Sequence, residues 1–177
     1  ANKLAKLVEE TSERGITFKK GIVNWKEGLC IISCCDASFA GELQMEAPLK
    51  GEDYRSQGAR IIMIANHEYM TKEIIHFHPV AAVSRTLKRV CNSTVQCETY
   101  NISTAIEQGD IIRAAIADCH GMIKDMKTWE TDAAAFMQHL WFSDCDSTVK
   151  ALTKRFPVQD TTKRLEIEFS ILRQHLW

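Results

Sequence analysis

The segment from residue 94 to residue 119 constrains the fold more than any other. Ser93, followed three residues on by Gln96, is a capping-box pattern at a helix start. Ile102, Ala105, Gly109, Ile112 and Ile116 then recur at alternating steps of three and four, an apolar stripe of helical period. A long helix with one such stripe must lie along a surface that buries it.

Four apolar runs supply that surface as strands. Residues 29–35 (LCIISCC) and 59–65 (ARIIMIA) are continuous and short, the pattern of strands buried on both faces. Residues 74–84 (IIHFHPVAAVS) read as a third strand, interrupted or started at Pro79. Residues 139–143 (HLWFS) read as a fourth. Leu4, Leu7 and Val8 give residues 2–13 a helical spacing that Gly15 breaks. Residues 41–57 are polar, with a turn signal at Gly51-Glu52-Asp53. A short helix is expected over 146–155, a loop at Pro157 and Asp160, and an amphipathic helix over 162–176. Strands come first, and helices then alternate with one more strand. This order predicts an α/β domain, a mixed central sheet flanked by helices, as one unit over residues 1–177.

Composition narrows the function classes. The net charge of −1 excludes a global basic field, so an anionic polymer would have to be met by a local patch. With 45% apolar and 25% charged residues the chain can bury a substantial core. The seven cysteines include no CxxC pair and sit mostly in apolar runs, where cysteine behaves as a small hydrophobe. That usage fits a reducing, intracellular setting, and no apolar run is long enough to span a bilayer.

Three acids occupy unusual positions. Asp36 closes the first strand run and Asp144 the fourth. Glu98 lies one helical turn before Ile102, so it continues the stripe that faces the sheet. An ionised carboxylate there needs a partner or a cation. Two strand ends and one inward helix face can bring the three acids to one sheet edge. Their repulsion is relieved by a hard divalent cation, and all-oxygen ligation suits Mg²⁺ or Mn²⁺ better than zinc. The alternative for each aspartate is a turn or helix cap, and for Glu98 a favourable place near the helix N-terminus. His76 and His78 have ligand spacing without a third partner and read as surface residues.

At these same residues the sequence resembles the ribonuclease H domain of copia-type retroelement polyproteins. The stretch Ser33-Cys34-Cys35-Asp36-Ala37-Ser38-Phe39-Ala40-Gly41 is similar to the family's opening "SDADWAG". Tyr54-Arg55-Ser56-Gln57-Gly58 resembles "RKSTSG", and Gln96-Cys97-Glu98-Thr99-Tyr100 resembles "STEAEY". Ser143-Asp144-Cys145-Asp146-Ser147 resembles "CDNQS", and Thr162-Lys163-Arg164-Leu165-Glu166-Ile167-Glu168 the closing "TKHIDIR". The segments keep the family's order across roughly residues 25–175.

The resemblance implies a ribonuclease H-like fold and an endonuclease that cuts the RNA strand of RNA–DNA hybrids with two Mg²⁺ (or Mn²⁺) ions. Asp36, Glu98 and Asp144 are then catalytic metal ligands. The fourth acid is Glu166 or Glu168, where the family more often has aspartate, and Arg164 replaces the histidine of "TKH". Motif alignment points to Glu166. Helical geometry points to Glu168, roughly 60° from Leu165 on the buried flank, against roughly 100° for Glu166. We take Glu168. Arg55, Arg85, Lys88 and Arg89 are the expected contacts to the hybrid's phosphates. The resemblance further implies a reverse transcriptase domain of the same polyprotein as partner, residues 1–25 as the lead-in from it, and a cytoplasmic retroelement particle as the setting. The same fold without activity, as a binding or bracing module, is the alternative.

Overall fold

The computed structural model describes residues 6, 9–11, 13, 15–39, 56–70, 74–153 and 163–176. Four strands form one mixed sheet: β1 (Leu29–Ser38), β2 (Gln57–Asn66), β3 (Phe77–Thr86) and β4 (Gln138–Ser143), in the order β3-β2-β1-β4. β1 pairs antiparallel with β2 and parallel with β4, and β2 pairs antiparallel with β3. Among the described residues, four α-helices of two turns or more accompany it: α1 (Thr94–Cys119), α2 (Trp129–Phe136), α3 (Asp146–Thr153) and α4 (Lys163–Leu176). The expected helix over 2–13 and the polar stretch 41–57 lie mostly outside the described residues. Among the described residues no helix is long and apolar enough to cross a membrane.

α1 starts where its cap predicts. Ser93 Oγ accepts the Gln96 N–H at 3.2 Å, and Gln96 Oε1 accepts the Asn92 N–H at 2.6 Å. Its stripe then splits between two cores. Ile102, Ala105 and Ile106 meet Cys35 of β1, Ala151 and Leu152 of α3, and Leu165, Phe169 and Leu172 of α4. Ile112 and Ile116 pack on Ile31, Ile62, Ile64 and Met137. Each fully buried isoleucine contributes about 1.5–3 kcal/mol by leaving water.

Gly109 shows how tightly the helix sits. A Cβ there would fall 2.3 Å from the His139 ring and 3.0 Å from Ser33 Oγ. The roughly 1 kcal/mol that glycine costs a helix interior is offset by this close approach.

Three details depart from the sequence expectation. β1 does not end at Cys35; it runs on to Ser38, and Asp36 is paired with Ala59. β3 is neither interrupted nor started at Pro79. The register steps from Ile62↔Ala81 to Met63↔Pro79, so Val80 is the extra residue of a bulge. A bulge on an edge strand is where a proline, lacking its N–H, is tolerated. α2 is additional. It is short, and its helical signals are Glu130 and Asp132 in the first turn and the run Ala133 to Ala135.

Candidate metal centre

The site begins where the parallel ladder stops. β4 ends at Ser143, opposite Cys35, while β1 continues beside β2 to Ser38. Past Cys35, β1 therefore has a neighbour on one side only. Glu98 of α1 occupies the vacated side, and its Oε1 accepts the Ala37 N–H at 3.0 Å. Asp144, the first residue after β4, turns in at the same place. Asp36, Glu98 and Asp144 each offer a carboxylate oxygen, and these oxygens all lie within 4.8 Å of one another.

The three acids are not equivalent. Asp36 and Asp144 are exposed, whereas Glu98 is 3% exposed. Burial pushes Glu98 up to about 7 against the partial offset of the Ala37 N–H, and repulsion from Asp36 and Asp144 adds to it. Its Oε2 is buried and has no hydrogen-bond partner. A buried, unpaired carboxylate oxygen beside two more carboxylates is a donor set that fits a hard divalent cation. The rest of the set is oxygen as well, which favours Mg²⁺ or Mn²⁺.

Glu168 stands apart from this group. It is half-buried on α4, on the flank that helical geometry assigns, while Glu166 is exposed. That flank faces α1 and the loop after β3, not the strand end. Glu168 Oε1 pairs with Arg89 Nη1 at 2.7 Å, and its Oε2 accepts from Ser103 Oγ at 3.4 Å.

Arg85, Lys88 and Arg89 come together in one cleft of about 400 Å³, lined also by Arg60, Tyr100, Ser103 and Glu168. Arg89 lies over the Tyr100 ring at 5.1 Å and Arg164 at 5.8 Å, two cation–π contacts that hold both guanidinium groups near the cleft. Arg60 was not singled out by sequence, although an arginine inside the apolar run ARIIMIA is itself a signal. It is 4% exposed, and its Nε donates to Gln108 Oε1 at 2.6 Å. Burial, and then Arg85, lower its pKa. Arg55 lies outside the described residues.

A second polar network carries no sequence signal of its own. His139 Nε2 lies 2.9 Å from Ser33 Oγ, and its Nδ1 lies 2.9 Å from Asp110 Oδ1. Asp110 also meets Arg113 at 2.9 Å. Burial alone would push Asp110 up, but His139 and Arg113 overcome it and hold it below the usual range. The residue types are those of a hydrolytic triad, yet Ser33 is fully buried beneath Gly109. No substrate reaches it, and the network staples β1, β4 and α1.

The cysteines offer no competing chemistry. All seven are free. Burial pushes Cys35 up to about 12, and Cys30 and Cys97 up to about 11, so these are thiols at neutral pH. His76, just before β3, is exposed, and His78 on that edge strand is half-buried.

Comparison of the chain with family models, with curated proteins and with solved structures gave no match. The functional reading therefore rests on the residues and their geometry.

Proposed function

We propose that this chain is the ribonuclease H domain of a copia-type retroelement polyprotein, a ribonuclease H-like fold that hydrolyses the RNA strand of RNA–DNA hybrids. One observation carries the reading. Carboxylates from β1, from α1 and from the residue after β4 converge at a single sheet edge. They are the acids of three family-like segments, in the family's order. The mixed sheet with helices packed on it is compatible with that fold.

Asp36, Glu98 and Asp144 would hold the divalent ions, which when bound would supply an activated water and stabilisation of the charge that develops on the phosphate. The chain's own part is to hold three like charges together. Burying Glu98 fixes its carboxylate, and the two exposed aspartates leave the site open to a strand. Arg85, Lys88 and Arg89 meet backbone phosphates, which position the hybrid without reading sequence. The 2′-hydroxyl then marks the strand to be cut. The buried thiols suit a cytoplasmic particle, with a reverse transcriptase domain of the same polyprotein as neighbour.

The second reading, a binding module without turnover, is favoured by one contact. Arg89 occupies Glu168, which leaves three acids in the group. The deciding experiment incubates the purified chain with end-labelled hybrid, duplex DNA and duplex RNA, in Mg²⁺ and in chelator. The proposal requires Mg²⁺-dependent cuts in the RNA of the hybrid alone. Cleavage of duplex DNA would indicate a different nuclease or a transposase. Binding without cleavage would leave the module.

A further inference from the structure

We propose that Asn101 is a positioning residue for the carboxylate site, fixing the main chain at Asp36 so that the Asp36 carboxylate meets Glu98 and Asp144. The inference rests on reading those three acids as a metal centre. Asn101 is fully buried on α1, one turn after Glu98. Its Nδ2 donates to the carbonyl of Asp36 at 2.7 Å and to the carbonyl of Ala59 at 2.9 Å. Asp36 and Ala59 are cross-strand partners, so one amide ties β1 to β2 at the level of the site.

The Asp36 carbonyl and the Ala37 N–H belong to the same peptide group. Asn101 holds the first and Glu98 holds the second, the latter at 3.0 Å. Residues three apart share a helix face, so α1 grips this peptide at both of its polar atoms. A peptide held at both ends cannot turn about its strand axis. The Cα of Asp36 next to it, and the direction of its carboxylate, are set by α1. The same helix supplies Glu98, so the two ligands are referenced to one rigid element.

Two observations separate this from simple packing. Asn101 Oδ1 is buried without a partner, a penalty that an apolar side chain would not carry. The amide is thus kept for what its N–H groups do. Gly58 makes room for it, since a Cβ at residue 58 would fall 2.6 Å from Asn101 Oδ1. Groups that orient metal ligands typically change affinity roughly 10- to 100-fold when removed.

The test uses the full chain and Mn²⁺ alone. Mn²⁺ affinity is measured calorimetrically for wild type, Asn101→Leu, Gly58→Ala and Asp36→Asn, with the thermal midpoint of each in chelator and the KM and kcat for hybrid cleavage. Asn101→Leu should melt below wild type, because the Asp36 and Ala59 carbonyls lose their donor to a larger apolar neighbour; where folded it should bind Mn²⁺ about 10-fold or more weakly and lose kcat at fixed Mn²⁺ with KM for hybrid unchanged. Gly58→Ala, which pushes on the amide from the strand side, should shift Mn²⁺ affinity in the same direction and serves if Asn101→Leu does not fold. Wild-type Mn²⁺ affinity in a folded Asn101→Leu, or in Gly58→Ala if the leucine variant is unfolded, overturns the role. Wild type that binds no Mn²⁺, or Asp36→Asn that binds it unchanged, overturns the metal centre itself and the inference with it.

Discussion

Glu98 accepts the main-chain N–H of Ala37 with one carboxylate oxygen, at 3.0 Å, and keeps the other buried and bare beside Asp36 and Asp144. The first oxygen explains how an acid is tolerated on a core stripe. The second explains why the site is incomplete as three acids alone.

The contribution of Glu98 to stability without metal should therefore fall as pH rises. Glu98 titrates near 7 in the fold against an ordinary value of 4.5. Between those values the folded chain binds the extra proton, so the part of the stability that Glu98 contributes is full below about pH 4.5 and is lost progressively up to about pH 7. The full loss is on the order of 3 kcal/mol. Chelated protein melted across this range should show the slope, and Glu98→Gln should flatten it. A Glu98→Gln curve parallel to wild type would remove Glu98 as the source.

The crowded charges themselves predict the behaviour of the aspartates. In chelator, Asp36→Asn and Asp144→Asn should be as stable as wild type or more so, because each removes one of three mutually repelling charges. Saturating Mg²⁺ should reverse the order, since only the intact trio gains binding energy. Thermal midpoints with and without Mg²⁺ provide the comparison. A wild-type midpoint that Mg²⁺ does not raise contradicts the prediction.

Glu168 should act through Arg89. We expect Glu168→Gln to leave Mn²⁺ affinity unchanged and to remove a half-exposed ion pair worth roughly 0.2–1 kcal/mol. Arg89→Ala should have a similar effect on stability. Parallel Mn²⁺ titrations of Glu168→Gln and Glu166→Gln decide the matter. If Glu168→Gln alone weakens Mn²⁺ binding, Glu168 leaves Arg89 to become the fourth ligand, as its place on the helical wheel suggests.

The cationic cleft should set the salt dependence of hybrid binding. Changing Arg85, Lys88 and Arg89 together to alanine should weaken binding. The salt slope should become shallower by roughly one for each phosphate that no longer meets a cation. Affinity measured at several salt concentrations gives the slope. An unchanged slope would take this segment off the binding face.

The sequence was most legible where local and global signals agree. α1 carries both a cap and a stripe, and its ends fall where these put them. The three acids were legible because a carboxylate on a buried stripe, or at the end of an apolar run, is costly without a reason. The extent of β1 was not, because Ala37 and Gly58 prolong the ladder through backbone pairing that leaves little mark on hydrophobic periodicity. For Glu168, a helical wheel gives the buried flank but not what lies across it, and Arg89 arrives from a loop 79 residues away in sequence. Asn101 lies beside the stripe, one turn after Glu98, and is buried with it. An amide there needs buried partners as surely as Glu98 does, and main-chain carbonyls of two strands are partners that only the fold supplies.

The most direct test of the account is cleavage of a labelled RNA–DNA hybrid by Asp36→Asn, Glu98→Gln and Asp144→Asn, each confirmed as folded, at a Mg²⁺ concentration that saturates wild type. The account predicts that wild type cuts the RNA strand and that every single variant loses turnover by at least about 100-fold, of order 3 kcal/mol in transition-state stabilisation. Near-wild-type cleavage by any one of the three would contradict the claim that these carboxylates form the catalytic metal site.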